Sequence, residues 1–222
     1  MLSCAAGTVS VVLAVSPAGT ATTAIVAAVV IVVGYLLGSI PAAVLVARRR
    51  QVDIRSVGDR NPGYWNAKET LGFKAATPVL VVDALKGMAA AALGIVCAVV
   101  VTGTVTNGEL WWLPYLGGLA AMVGHAWPVF AHFRGGRCVL TFIGAVVVIN
   151  PLVALAALGV CLVLLGVLRR FSLAARIGVF TLPVVQAFVD PRAHVALTGL
   201  MMCLIGFRFW QAMRETRARA AA

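Results

Sequence analysis

The chain has 222 residues, of which 62% are hydrophobic and 11% charged, with a formal charge of +11 and a mean hydropathy of +1.01. Soluble domains carry about 25% charged residues. Here the apolar residues also gather into runs of membrane-spanning length rather than a helix-period stripe, which excludes a water-soluble globule. The Lys and Arg stand in short loops between those runs, which speaks for membrane topology and against a nucleic-acid surface.

Residues 1–20 lack a basic n-region and read as a loose N-terminal extension. Apolar runs follow at 21–47, 76–101, 111–130, 139–149, 151–168, 173–189 and 193–210. They predict an all-α, polytopic membrane protein of about seven transmembrane helices, organised as one domain over residues 21–213 with a basic tail at 214–222. The run at 139–149 is short for a span, and charge argues for counting it. With seven spans, sixteen of the eighteen Lys and Arg fall on one side, leaving only Lys86 inside a span and Arg192 opposite. Cytoplasmic loops are enriched in such cations, so the N-terminus is expected outside and the C-terminus in the cytoplasm. Trp111, Trp112 and Tyr115 open the third run as an interfacial aromatic belt, with no chemistry assigned.

Three segments interrupt the apolar pattern. The first, Asp53-Ile-Arg-Ser-Val-Gly-Asp-Arg-Asn-Pro-Gly-Tyr-Trp-Asn66, reads as loop rather than helix. Gly58, Asn61, Gly63 and Asn66 can take positive φ and present N–H groups and amides to an anion, and Arg55, Arg60 and Lys68 add charge. The second runs from Gly124 and His125 to Arg134-Gly-Gly-Arg137 and Thr141, two glycines between two arginines ahead of a helix, a turn that brings backbone close to a phosphate. In the third, inside the second run, Asp83 and Lys86 share a helix face. They read either as a polar wall beneath a site or as a pair that only holds helices together. The five cysteines (Cys4, Cys97, Cys138, Cys161, Cys203) form no Cys-x-x-Cys pair and stand at no metal-ligand spacing with a histidine, so no metal is expected.

Taken together, Gly38-Ser-Ile-Pro41, Asp53-Ile-Arg55, Gly58-x-x-Asn-Pro-Gly-x-x-Asn66, Asp83-x-Leu-Lys-Gly87, Gly124-His-x-x-Pro-Val-Phe130, Arg134-Gly-Gly-Arg137 with Val139 and Thr141, and Phe171-Ser-Leu-Ala174 are spread over nearly the whole chain in a specific order. In these the sequence resembles the bacterial acyl-phosphate:glycerol-3-phosphate acyltransferases, the PlsY family. The resemblance implies acyl transfer from acyl phosphate to the 1-hydroxyl of glycerol 3-phosphate, giving lysophosphatidate at the cytoplasmic face of a bacterial plasma membrane. No cofactor, metal or nucleic acid takes part, and membrane lipid surrounds the enzyme. The expected phosphate-binding residues are Asn61, Gly63, Asn66, Lys68, Arg134, Gly135, Gly136, Arg137, Thr141 and Arg214. Ser39, Asp83 and Lys86 would support them, and His125 or the leaving phosphate would act as base.

The sequence departs from that pattern at several points. Asp59 replaces a Ser, Arg60 a Gly, Tyr64-Trp65 an Ala-Thr, Glu69 a cation and Cys138 a Gly, while Arg208 and Gln211 stand where the family has His and Asn. Asp59 is expected to repel a phosphate, and Cys138 to put bulk where backbone would approach one. These departures motivate a second reading, a noncatalytic or substrate-shifted relative that binds a phosphorylated lipid.

Overall fold

The computed structural model describes residues 19–103 and 108–221, so most of the expected N-terminal extension lies outside the described residues. Among the described residues every regular element is helical: α1 (Thr20–Gly38), α2 (Ala42–Arg48), α3 (Tyr64–Leu71), α4 (Phe73–Thr102), α5 (Leu113–Ala126), α6 (Val139–Ile149), α7 (Pro151–Leu168), α8 (Phe171–Val189) and α9 (Arg192–Ala220), with a 3-10 turn at Val129–Ala131. Four stretches among the described residues are long and apolar enough to cross a bilayer: Thr20–Arg48, Phe73–Thr102, Pro151–Leu168 and Arg192–Ala220. Among the same residues, Val139–Ile149 is a shorter apolar helix and Ile177–Val189 a shorter apolar portion of α8. Phe188 is 85% exposed and Leu152 76%, a surface that lipid covers at no cost and water does not.

Three local features differ from the sequence reading. The first apolar run is not one helix, because Pro41 lacks an N–H and its ring obstructs the preceding turn, so the chain breaks at Ser39 and Ile40 before α2 resumes. The segment expected to be loop as far as Asn66 turns helical at Tyr64, where Gly63 serves as N-cap. Left-handed backbone in that segment falls on Gly58 (φ 57°) and Arg60 (φ 59°), while Gly63 is extended at φ −140°. Finally, α9 continues as helix through most of the expected basic tail.

The core is a tight cluster of α1, α4, α5 and α6 whose backbones nearly touch. A Cβ added at Gly38 would overlap the Ala121 carbonyl, one at Gly87 the Thr141 carbonyl, and one at Gly144 the Ala84 carbonyl. In lipid, where apolar burial gives helices little reason to associate, such small-residue approaches supply the dispersion contacts. On α7 and α9, Gly159, Gly166, Gly199 and Gly206 instead face open space, with nothing within 4 Å of an added Cβ.

The two ends of the bundle differ chemically. At one end Tyr115 pairs with His194 Nδ1 at 3.0 Å and accepts from Gln186 at 3.2 Å, while Asp190 accepts from Gln186 at 2.9 Å and from Asn150 at 2.6 Å. Tyr115, expected at an interface, is 3% exposed and buried in this network. The loop before α3 and the loop before α6 meet at the other end.

Gly144→Ala is expected to destabilise by about 1–3 kcal/mol through overpacking, lowering the thermal midpoint in detergent by several degrees. Gly199→Ala, which meets open space, should leave the midpoint unchanged or raise it, since alanine is the better helix former.

Candidate active site

At the break between α1 and α2 the Ile40 carbonyl has no helical i+4 partner, and it accepts the Ala42 N–H at 3.1 Å and Lys86 Nζ of α4 at 3.2 Å. Lys86 also lies 2.8 Å from the Asp83 carboxylate one turn earlier, and Asp83 lies 3.4 Å from His125 Nδ1, near the end of α5. All three side chains are buried, at 2% for Asp83, 4% for Lys86 and 7% for His125. A buried ion pair is tolerable only when its remaining donors and lone pairs find partners, and the helix break and the histidine supply them.

A small cleft is lined by Gly38, Pro41, Pro62, Asp83, Lys86, His125, Arg134, Gly135 and Gly136. The Gly135 N–H donates to the Ala126 carbonyl at 3.2 Å and the Gly136 N–H to the His125 carbonyl at 3.0 Å. These two N–H groups, expected to face a phosphate, are therefore engaged with the end of α5. The glycines are needed instead because a Cβ at Gly135 would overlap the His125 carbonyl and one at Gly136 the His125 ring at Nε2.

Arg208 straps this loop from α9. Its Nε donates to the Gly136 carbonyl at 3.1 Å, its Nη2 to the Gly135 carbonyl at 2.9 Å and its Nη1 to Gln211 at 2.8 Å, with the guanidinium 5.1 Å above Trp127. The sequence reading had assigned Arg208 no role. Its place among the last residues of the final apolar run, counted with the basic tail, was the available signal, since cations at a span end find partners or cavities.

The loop before α3 joins from the side. Arg137 Nη1 donates to Asp59 Oδ2 at 2.7 Å, linking the two cationic loops. Asp59 Oδ1 accepts the Asn61 N–H at 3.0 Å. Asp53 accepts the backbone N–H and the guanidinium of Arg55, which hold its carboxyl below the usual carboxylate range. Asn66, expected to bind substrate, is fully buried and staples its own loop, its amide donating to the carbonyls of Ile54 at 2.9 Å and Val57 at 3.1 Å.

The remaining expected residues divide. Ser39 and Thr141 are fully buried, with hydroxyl oxygens that lack a partner among the described residues. Gly63 is buried at the start of α3. Lys68 and Arg214 lie outside the cleft lining, their cations 4.9 Å above Trp65 and 4.8 Å above Trp210. Cys138 adopts φ 64° and is 1% exposed, its thiol donating to the Met122 carbonyl at 3.1 Å. Its bulk points into the core rather than into the loop face, contrary to expectation.

The family model described as glycerol-3-phosphate acyltransferase matches residues 28–219. The chain is 38% identical over 184 residues to "Glycerol-3-phosphate acyltransferase 3" of Dehalococcoides mccartyi, covering 79% of this chain and 85% of that one. It is 37% identical over 185 residues to the glycerol-3-phosphate acyltransferase of Geobacillus kaustophilus, covering 83% and 87%. Among solved structures, the glycerol 3-phosphate form of PlsY, an integral membrane glycerol 3-phosphate acyltransferase, superposes with a TM-score of 0.71 at 30% identity over 86% of this chain and 92% of that chain. The lysophosphatidic acid form superposes with a TM-score of 0.68 at 29% identity. With nearly its whole length matched in sequence and its helices matched in space, the chain belongs to the glycerol-3-phosphate acyltransferase family.

Proposed function

We propose that the protein transfers a fatty acyl group from acyl phosphate to the 1-hydroxyl of glycerol 3-phosphate. The observation that carries this reading is the buried Asp83–Lys86–His125 cluster lining one cleft with Arg134 and the Gly135-Gly136 turn, in a family whose structures include glycerol 3-phosphate and lysophosphatidic acid forms. In the reaction the hydroxyl oxygen attacks the acyl carbonyl carbon, the ester C–O bond forms, the acyl C–O bond to phosphate breaks, and inorganic phosphate leaves. Two groups can take the hydroxyl proton, the His125 ring and the departing phosphate. An ionised Asp83 beside Nδ1 favours the tautomer with the proton on Nδ1, which leaves Nε2 as the basic atom. Acyl phosphate is already activated, so positioning and charge neutralisation supply most of the rate. Arg134 and Arg137 face the phosphates and Lys86 balances charge in the cleft lining, while Ser39 and Thr141, fully buried and outside that lining, support it through packing. Asn61 and Gly63 shape the neighbouring loop, Asn66 holds it, and Lys68 and Arg214 add positive potential at its edge. Cys138 is enclosed, so no nucleophilic thiol is assigned.

The departures from the family pattern fit an active enzyme better than a noncatalytic relative. Asp59 has a cation partner, Cys138 turns inward, and Arg208 with Gln211 braces the glycine turn from the positions of the family's His and Asn.

The reading includes seven spans of one membrane domain over residues 21–213, N-terminus outside, with the cleft at the cytoplasmic face of a bacterial plasma membrane. Its support is the gathering of the Arg-rich loops at one end of the bundle and of Tyr115, Asn150, Gln186 and His194 at the other. In right-side-out vesicles of a cysteine-free background, Arg192→Cys should react with a membrane-impermeant maleimide and Arg60→Cys only after permeabilisation; the opposite pattern would invert the topology.

Purified protein given palmitoyl phosphate and glycerol 3-phosphate should release phosphate and form lysophosphatidate only when the acceptor is present. Folded protein that forms neither product would return the noncatalytic reading. His125→Gln should lower kcat by about 10²–10⁴-fold. Asp83→Asn should in addition lower the thermal midpoint, because it strands the Lys86 charge, a loss of about 3–5 kcal/mol.

A further inference from the structure

Asp59 and Arg137 are 78 residues apart in sequence and meet at 2.7 Å. Asp59 is fixed on its own loop through Oδ1, which accepts the Asn61 N–H, and reaches across with Oδ2. Arg137 also lies against α9, its guanidinium carbon 4.9 Å above the Phe209 ring. Both side chains remain within reach of water, at 22% exposure for Arg137 and 36% for Asp59. An ion pair at such a surface is weak and exchangeable. What Asp59 offers Arg137, an anionic oxygen at charge-assisted hydrogen-bond distance, is also what a phosphate offers.

We propose that Asp59 is an intramolecular stand-in for substrate phosphate, a specificity residue that occupies Arg137 in the empty site and is displaced when a phosphorylated substrate binds. The inference rests on the reading above that Arg137 meets a substrate phosphate. A phosphate carries more charge and more acceptor oxygens than a carboxylate, so it wins the guanidinium, with apparent affinity reduced by the carboxylate it must displace. While the site is empty, the same pair keeps the two loops together. The phosphate belongs either to glycerol 3-phosphate or to acyl phosphate, and kinetics on each substrate separates the two.

The test uses the full-length protein in detergent and the Asp59→Asn variant, which removes the charge while keeping the side-chain shape and an acceptor for Asn61; Asp59→Ser serves if the amide variant fails to fold. KM is measured for glycerol 3-phosphate and for palmitoyl phosphate, together with inhibition by inorganic phosphate, in the wild type, Asp59→Asn, Arg137→Gln and the double variant. Asp59→Asn is expected to lower KM for at least one substrate about fivefold, the scale of an exposed pair, with phosphate inhibition tightening in step and the change carried by KM rather than kcat. In the Arg137→Gln background the same substitution should have no effect. If Arg137→Gln raises KM but Asp59→Asn leaves it unchanged or raises it, Asp59 is only a clamp between loops and the proposal fails alone. If Arg137→Gln changes neither KM, the phosphate reading of Arg137 fails and the proposal with it.

Discussion

Lys86 sits almost without water between a carboxylate one helical turn behind it and a carbonyl oxygen left without a helical partner where the first helix breaks. Buried charge is costly unless its partners are close and well aligned, so this requirement constrains much of the surrounding chain. It calls for the Pro41 break, which exposes the Ile40 carbonyl. It calls for α1 and α4 to come close enough for that carbonyl to be reached, and for α5 to bring His125 against Asp83. The glycine contacts at Gly38, Gly87 and Gly144 are the means by which the backbones approach that closely. Packing and chemistry in this half of the molecule are consequently one problem, and the cleft lies where they meet.

The loops add a second layer, in which charge is matched across long sequence distances. The Gly135-Gly136 turn can lie against the end of α5 because neither residue carries a Cβ, and Arg208 holds its carbonyls from α9. Two departures from the family's glycines fall on left-handed backbone, Arg60 and Cys138. The conformation is retained without the residue that adopts it most cheaply, at a cost on the order of 1 kcal/mol each. At Cys138 the thiol's hydrogen bond to Met122 inside the core offsets part of that cost.

Much of this was legible in the sequence. The helical, membrane-embedded class followed from apolar runs, and the Asp83–Lys86 pair from its three-residue spacing inside one of them. The break at Pro41 was not drawn from the first run, because its apolar residues continue on both sides and hydropathy does not register a missing N–H. Asn61, Gly63 and Asn66 were grouped as anion ligands from residue type and the family resemblance. Type does not tell an amide that faces a ligand from one that closes its own loop, as Asn66 does. Asp59 was expected to be repulsive because its partner lies 78 residues away, a distance over which local pattern carries no information. The network that joins Tyr115 of α5 to Gln186 and Asp190 at the end of α8 was missed for the same reason, since Tyr115 and Gln186 are 71 residues apart.

The placement of both charges of the ion pair on one helix bears on how the protein is made. Spans are synthesised in order, and α4 emerges before α5, which carries His125, has been translated. A lysine that depended on a later helix for its counter-charge would have to enter the bilayer bare. With Asp83 three residues away on the same face, the two charges in the middle of α4 cancel, and with Lys74 at its first turn the helix can insert and wait for His125 without an unpaired charge deep in the hydrocarbon. The neutralising group therefore travels with the lysine through the translocon, and the later helix completes a pocket whose electrostatics were settled before it arrived.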